Sequence, residues 1–121
     1  MSITPKPVFL SIDRAMEFIG DTQGVLSLLK TLHQTLSDDL PRLQVLLDQG
    51  DVYGANRILH QLKGFTPVFC VDSLVEHVVR VEDMSKHAEA AELSAAYSLL
   101  APQLEALRQE VLAHMALQDQ V

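Results

Sequence analysis

Between Gly24 and Gly50 the chain sets Val25, Leu28, Leu29, Leu32, Leu36, Leu40, Leu43 and Leu47 at a spacing that an α-helix gathers onto one face. A second stripe, Leu93, Tyr97, Leu100, Leu104, Leu107 and Val111, repeats the pattern toward the C-terminus. Long helices with one apolar face must bury that face against other helices, so the chain is directed to an all-α bundle. The residue palette agrees. Trp is absent and aromatics are 5% of the chain, too few for a sandwich core.

The remaining elements follow from caps and breakers. Pro5 and Pro7 mark a loose lead-in, and Leu10 to Ile19 reads as a short helix with Ile12, Ala15, Met16 and Ile19 on one side. Asp21 caps the long second helix, which Gly50 ends; Pro41 removes one backbone donor and predicts a bend near Ser37. Asp51 caps a third helix carrying Val52, Ala55, Leu59, Leu62 and Phe69 inward, and Asp72 or Ser73 caps a fourth carrying Leu74, Val75, Val78, Val79 and Val81. Propensity alone would allow a strand at Val78–Val81, but Glu82 to Ala96 continues in helix formers and no partner strand is visible. The last helix is expected near Glu89 to Met115, with Pro102 a second kink. The expectation is an antiparallel up-down four-helix bundle with a short additional N-terminal helix, in one domain over 1–121. Residues 1–8 are read as a flexible lead-in and 116–121 as a flexible tail.

Charge and cysteine usage narrow the function classes. The net charge is −7 and the nine basic residues are scattered, which argues against a nucleic-acid surface or a polybasic membrane anchor. No apolar run approaches the roughly 20 residues of a membrane span. The single cysteine, Cys70, has no intramolecular partner, so the chain suits a reducing compartment and is expected in the cytoplasm. Met1 and the lack of any kinase or receiver segment lead to the expectation of a stand-alone protein.

One face of the third helix breaks the structural pattern. At roughly 100° per residue, His60 falls about 150° from the centre of the apolar arc and faces solvent. Asn56 and Arg57 lie one turn before it, Lys63 and Gly64 one turn after, and Pro67 beyond. A mid-helix glycine costs about 1 kcal/mol against alanine, and such breaches concentrate at functional sites, so Gly64 predicts that something large approaches His60. On the fourth helix, Glu82 falls inside the apolar arc, where a carboxylate needs a partner. Pairing with His60 would fix a proton on Nδ1 and leave the Nε2 lone pair exposed as a nucleophile.

His60, Leu62, Lys63 and Gly64 resemble the H-x-L-K-G signature of histidine-containing phosphotransfer (HPt) domains of bacterial two-component phosphorelays. The likeness extends to Leu40-Pro41, Leu46-Leu47 and Gly50-Asp51 before the motif and to Val81-Glu82 after it. It implies that His60 is the phosphoacceptor, Lys63 a phosphoryl-stabilising cation, Glu82 the acceptor of the Nδ1 hydrogen and Gly64 the clearance for a partner. It also implies a phosphohistidine carrier with no kinase activity of its own and no cofactor, any Mg²⁺ belonging to the partner. The implied partners are receiver domains of hybrid sensor kinases and response regulators, met by a monomer through Gly64, Asn56, Arg57, Gln61, Phe65 and Pro67. The chain departs from the family at Phe65, Pro67 and Cys70, where small residues and a helix-ending glycine are usual; Pro67 predicts loosening beyond the active turn.

Blander readings exist for each residue. A surface histidine or lysine is usually only solvated, and Glu82 could snorkel or pair with Arg57 or Lys86. His33, His77, His87 and His114 have no comparable surroundings, and Cys70 reads as a small buried hydrophobe. A metal-binding bundle would want Glu-x-x-His pairs, which are missing, although Glu110 and His114 share a face. The remaining alternative is a bundle that docks on a receiver or kinase without transferring phosphate.

Overall fold

Aspartates start two of the helices that build the core, one of them the helix that carries His60. The computed structural model describes residues 6–119, with helices α1 (Ile12–Ile19), α2 (Thr22–Asp48), α3 (Val52–Phe69), α4 (Asp72–Met84) and α5 (Ala90–Asp119). Asp21 accepts from the Gly24 N–H at 2.6 Å to cap α2, and Asp51 from the Gly54 N–H at 2.8 Å to cap α3. Gly50, with φ of 72°, makes the left-handed turn between them. α2 packs on α3 and α5, and α4 on α3 and α5, which closes an antiparallel four-helix bundle; α1 lies across α2 and α3. Both leucine stripes point inward. Leu29, Leu36, Leu43, Leu93, Leu100, Leu104 and Leu107 are fully buried, while Leu28 at the stripe edge is exposed.

α2 runs through Pro41, α3 through Pro67 and α5 through Pro102 as unbroken helices, each lacking the one backbone donor that its proline removes. Four local expectations change. α1 begins at Ile12, with Ser11 accepting from the Arg14 N–H, so Leu10 lies outside it. Neither Asp72 nor Ser73 caps α4; the cap position is Val71, which has no side-chain bond to give. The cause is a backbone ladder from the N-terminal segment: Ser11 N–H donates to Phe69 O at 2.7 Å, Val71 N–H to Phe9 O at 2.9 Å, and Leu10 bridges Cys70. Asp72 is thereby the first residue of α4 and pairs with Arg14 at 2.8 Å. Val79 is exposed, the arc being filled by Leu74, Val78, Val81 and Glu82. At the other end α5 continues to Asp119 rather than stopping near Met115. The rest of the expected tail, 120–121, and residues 1–5 of the expected lead-in, including Pro5, lie outside the described residues.

Glu110 fixes the start of the described chain. Its carboxylate accepts the N–H groups of Val8, Phe9 and Leu10 at 2.8, 2.9 and 2.9 Å. These donors have no helix or sheet to satisfy them, and a charged acceptor strengthens each bond. Glu110→Ala is expected to lower unfolding stability by about 2 kcal/mol, since water partly replaces the lost acceptor. Urea denaturation checks this, and a change below about 0.5 kcal/mol would count against the clamp. Cys70 is fully buried, and burial pushes its thiol up to about 12. It is a packing residue and not a reactive one.

Candidate functional site

α3 and α4 lie side by side, and their facing residues meet around one carboxylate. His60 sits midway along α3 with its side chain 70% exposed, whereas the Glu82 side chain, in the last turn of α4, is 1% exposed. Nδ1 of His60 lies 3.3 Å from Oε1 of Glu82. An ionised carboxylate only accepts, so a neutral His60 ring that bonds to it carries its hydrogen on Nδ1 and its lone pair on Nε2.

The other oxygen, Oε2, faces two ammoniums: Lys86 Nζ at 3.4 Å and Lys63 Nζ at 3.7 Å. Burial pushes the Glu82 carboxyl up, but the His60 hydrogen bond and the charges of Lys63 and Lys86 outweigh it and hold it below the usual carboxylate range. A carboxyl lowered on folding stabilises the fold above its unfolded pKa and loses that contribution as pH falls through the folded value. The stability gap between wild type and Glu82→Gln is therefore expected to be full above about pH 4.5 and to narrow below it. Denaturant titrations across pH 3 to 7, about the range of carboxylate ionisation, check this; a gap independent of pH would contradict it.

Behind the carboxylate, Asn56 Nδ2 donates to Ser85 Oγ at 2.6 Å, and Ser85 Oγ donates to the Glu82 carbonyl at 2.5 Å. In front of it, a Cβ built on Gly64 would meet nothing within 4 Å. Among the described residues, no contact requires glycine there. Arg57 and Gln61 are exposed and line a groove of about 300 Å³ between α2 and α3, which Tyr53 and Arg42 also border. Phe65 is half-buried and packs on the core, and Pro67 is half-buried on the following turn.

The family model for the Hpt domain matches residues 27–114. The chain belongs to the Hpt domain family. The match runs from α2 into α5 and so includes every residue of the site. No curated protein and no solved structure matched the chain. Hpt domains carry out histidine phosphotransfer in phosphorelays and interact there with receiver domains.

In this Hpt domain, His60, Lys63 and Glu82 come together as one cluster, and Gly64 leaves its flank open. Arg57 makes no ion pair with Glu82, while Lys86 does. Asn56 turns its amide nitrogen inward to Ser85. Lys86 is one of the two cations that the sequence offers Glu82, as its i+4 neighbour, and it pairs alongside Lys63. Ser85 is the residue that the sequence does not point to, because nothing in the local pattern directs it toward Asn56. Of the other histidines, His77 meets Gln103 at 2.7 Å and His87 meets Asp83 at 3.6 Å. Among the described residues, no group of three or more His, Cys, Asp or Glu is placed to hold a metal ion, and no helix is long and apolar enough to cross a membrane.

Proposed function

We propose that His60 accepts a phosphoryl group from the aspartyl phosphate of a receiver domain and passes it to the receiver of a response regulator. The reading is carried by one observation: an exposed imidazole whose inner nitrogen faces a buried carboxylate. Nε2 attacks phosphorus in line. The Nε2–P bond forms as the P–O bond to the aspartate breaks, and the bonding pair leaves with the aspartate carboxylate. Nδ1 keeps its hydrogen, so the phosphorylated ring carries a positive charge that faces Glu82. The onward step is the reverse, with an aspartate oxygen attacking phosphorus and Nε2 recovering its lone pair.

Under this reading the protein is a carrier, not a kinase, and acts as a monomeric cytoplasmic domain without a cofactor of its own; Mg²⁺ belongs to the receiver. Partners dock over Gly64, Arg57, Gln61, Phe65, Pro67 and the outer edge of Asn56. Lys63 swings from Glu82 to the transferring oxygens, where a mobile point charge offsets developing negative charge. Lys63→Ala is expected to slow transfer about tenfold. Glu82→Ala removes a charge-assisted bond of about 1.5–3 kcal/mol, or one to two decades in rate if felt wholly in the transition state. Stopped-flow transfer from a phosphorylated receiver measures both, and rates equal to wild type would remove these residues from the step.

The function itself is tested by mixing the chain with several receivers carrying labelled phosphate. Movement of label to the chain and on to a second receiver is the expected outcome. Stable complexes with no movement of label would leave the alternative, a docking module that does not transfer.

A further inference from the structure

We infer that Asn56 and Ser85 form a positioning brace that holds Glu82 in register with His60, and so keeps the His60 hydrogen on Nδ1 and Nε2 free to react. The inference rests on the reading of His60 as phosphoacceptor and adds two residues that act on it through Glu82.

Glu82 occupies a poor place for a residue that must aim accurately. α4 ends at Met84, and no helix follows until Ala90. Last-turn carbonyls have no intrahelical partner, and helix ends open more readily than their middles. The contact that Glu82 makes to His60 is 3.3 Å, at the long end for a hydrogen bond, so a displacement of a few tenths of an ångström forfeits it. Two ammoniums, at 3.4 and 3.7 Å from Oε2, compete for the same carboxylate. Left to itself, the carboxylate would turn toward them.

Ser85 closes this end. Its N–H donates to the carbonyls of Val81 and Glu82, both at 3.1 Å, and its hydroxyl donates a second bond to the Glu82 carbonyl. The same hydroxyl oxygen accepts from Asn56, which stands one turn before His60 on α3. The two helices are therefore joined twice along one line, Asn56 to Ser85 and His60 to Glu82. Ser85 is 4% exposed, so its hydroxyl is shielded from water and depends on these partners. A polar group buried beside the end of a helix adds little apolar burial; what it adds is a fixed height and rotation for Glu82.

The experiment reads the ring directly. ¹⁵N-edited NMR of His60 gives the tautomer populations in wild type, Ser85→Ala and Asn56→Ala, and phosphoryl acceptance is timed in parallel from phosphoramidate and from a phosphorylated receiver. The expected result is a dominant Nδ1–H form in wild type and a shift toward Nε2–H in both variants, with acceptance from both donors slowed about three- to tenfold and helix content unchanged. Should Ser85→Ala lose helicity, Asn56→Ala decides alone. Tautomer populations like those of wild type, with rates within about twofold, would overturn the brace. A wild-type chain that takes no phosphate from either donor, while its tautomer still responds to the variants, would instead sink the phosphoacceptor reading and leave the brace standing.

Discussion

Glutamine at position 60 is expected to abolish phosphoryl acceptance while leaving helix content and unfolding midpoint close to those of wild type. The His60 ring is mostly solvent-exposed and makes one polar contact, to Glu82. It contributes little to the core, and exposed substitutions usually change stability by about 0.5 kcal/mol or less. Glutamine can still offer an N–H to Glu82, so the buried carboxylate is not stranded. It cannot attack phosphorus, because its amide lone pair is delocalised, and no neighbouring group supplies a substitute nucleophile. Labelled-phosphate assays beside far-UV circular dichroism check both halves. A folded His60→Gln chain that still takes label from a receiver would remove His60 from the chemistry.

The second large effect separates stability from activity at Gly64. A side chain there meets open space, so Gly64→Ala and Gly64→Gln are expected to stabilise α3 by about 0.5–1 kcal/mol through helix propensity alone. Transfer from a receiver should move the opposite way. Reaction requires phosphorus within about 3–3.5 Å of Nε2, and a displacement of about 1 Å costs on the order of 100-fold. Gly64 sits one turn from His60 on the same face, where a glutamine side chain holds a docked receiver off by at least that much. Gly64→Gln should therefore slow receiver-dependent transfer by about 100-fold, with a small effect on acceptance from phosphoramidate. Gly64→Ala should fall between. A Gly64→Gln protein that is more stable and also transfers at the wild-type rate would show that partners do not pass over this turn.

Much of this arrangement is legible in the residues, for definable reasons. Helical periodicity is local, so the stripes of α2 and α5, the outward position of His60 and the inward position of Glu82 follow from spacing alone. Asp21 and Asp51 are legible as caps because the chemistry of capping lies within three residues. What sequence did not yield depends on distant partners. The start of α4 is set by Phe9 and Ser11 pairing with Val71 and Phe69, far away along the chain, so a local capping rule points to the wrong residue. Glu110 reads as one member of a helix-face pair with His114, yet its carboxylate is spent on three N–H groups about a hundred residues earlier. Ser85 becomes meaningful only once α3 and α4 are side by side.

The most direct test is ³¹P and ¹⁵N NMR of the chain labelled with ¹⁵N-histidine and phosphorylated by a receiver. The predicted spectrum has one phosphorus, coupled to Nε2 of His60, with a proton retained on Nδ1. Phosphorus coupled to Nδ1, carried by His33, His77, His87 or His114, or bound to an oxygen would contradict the account.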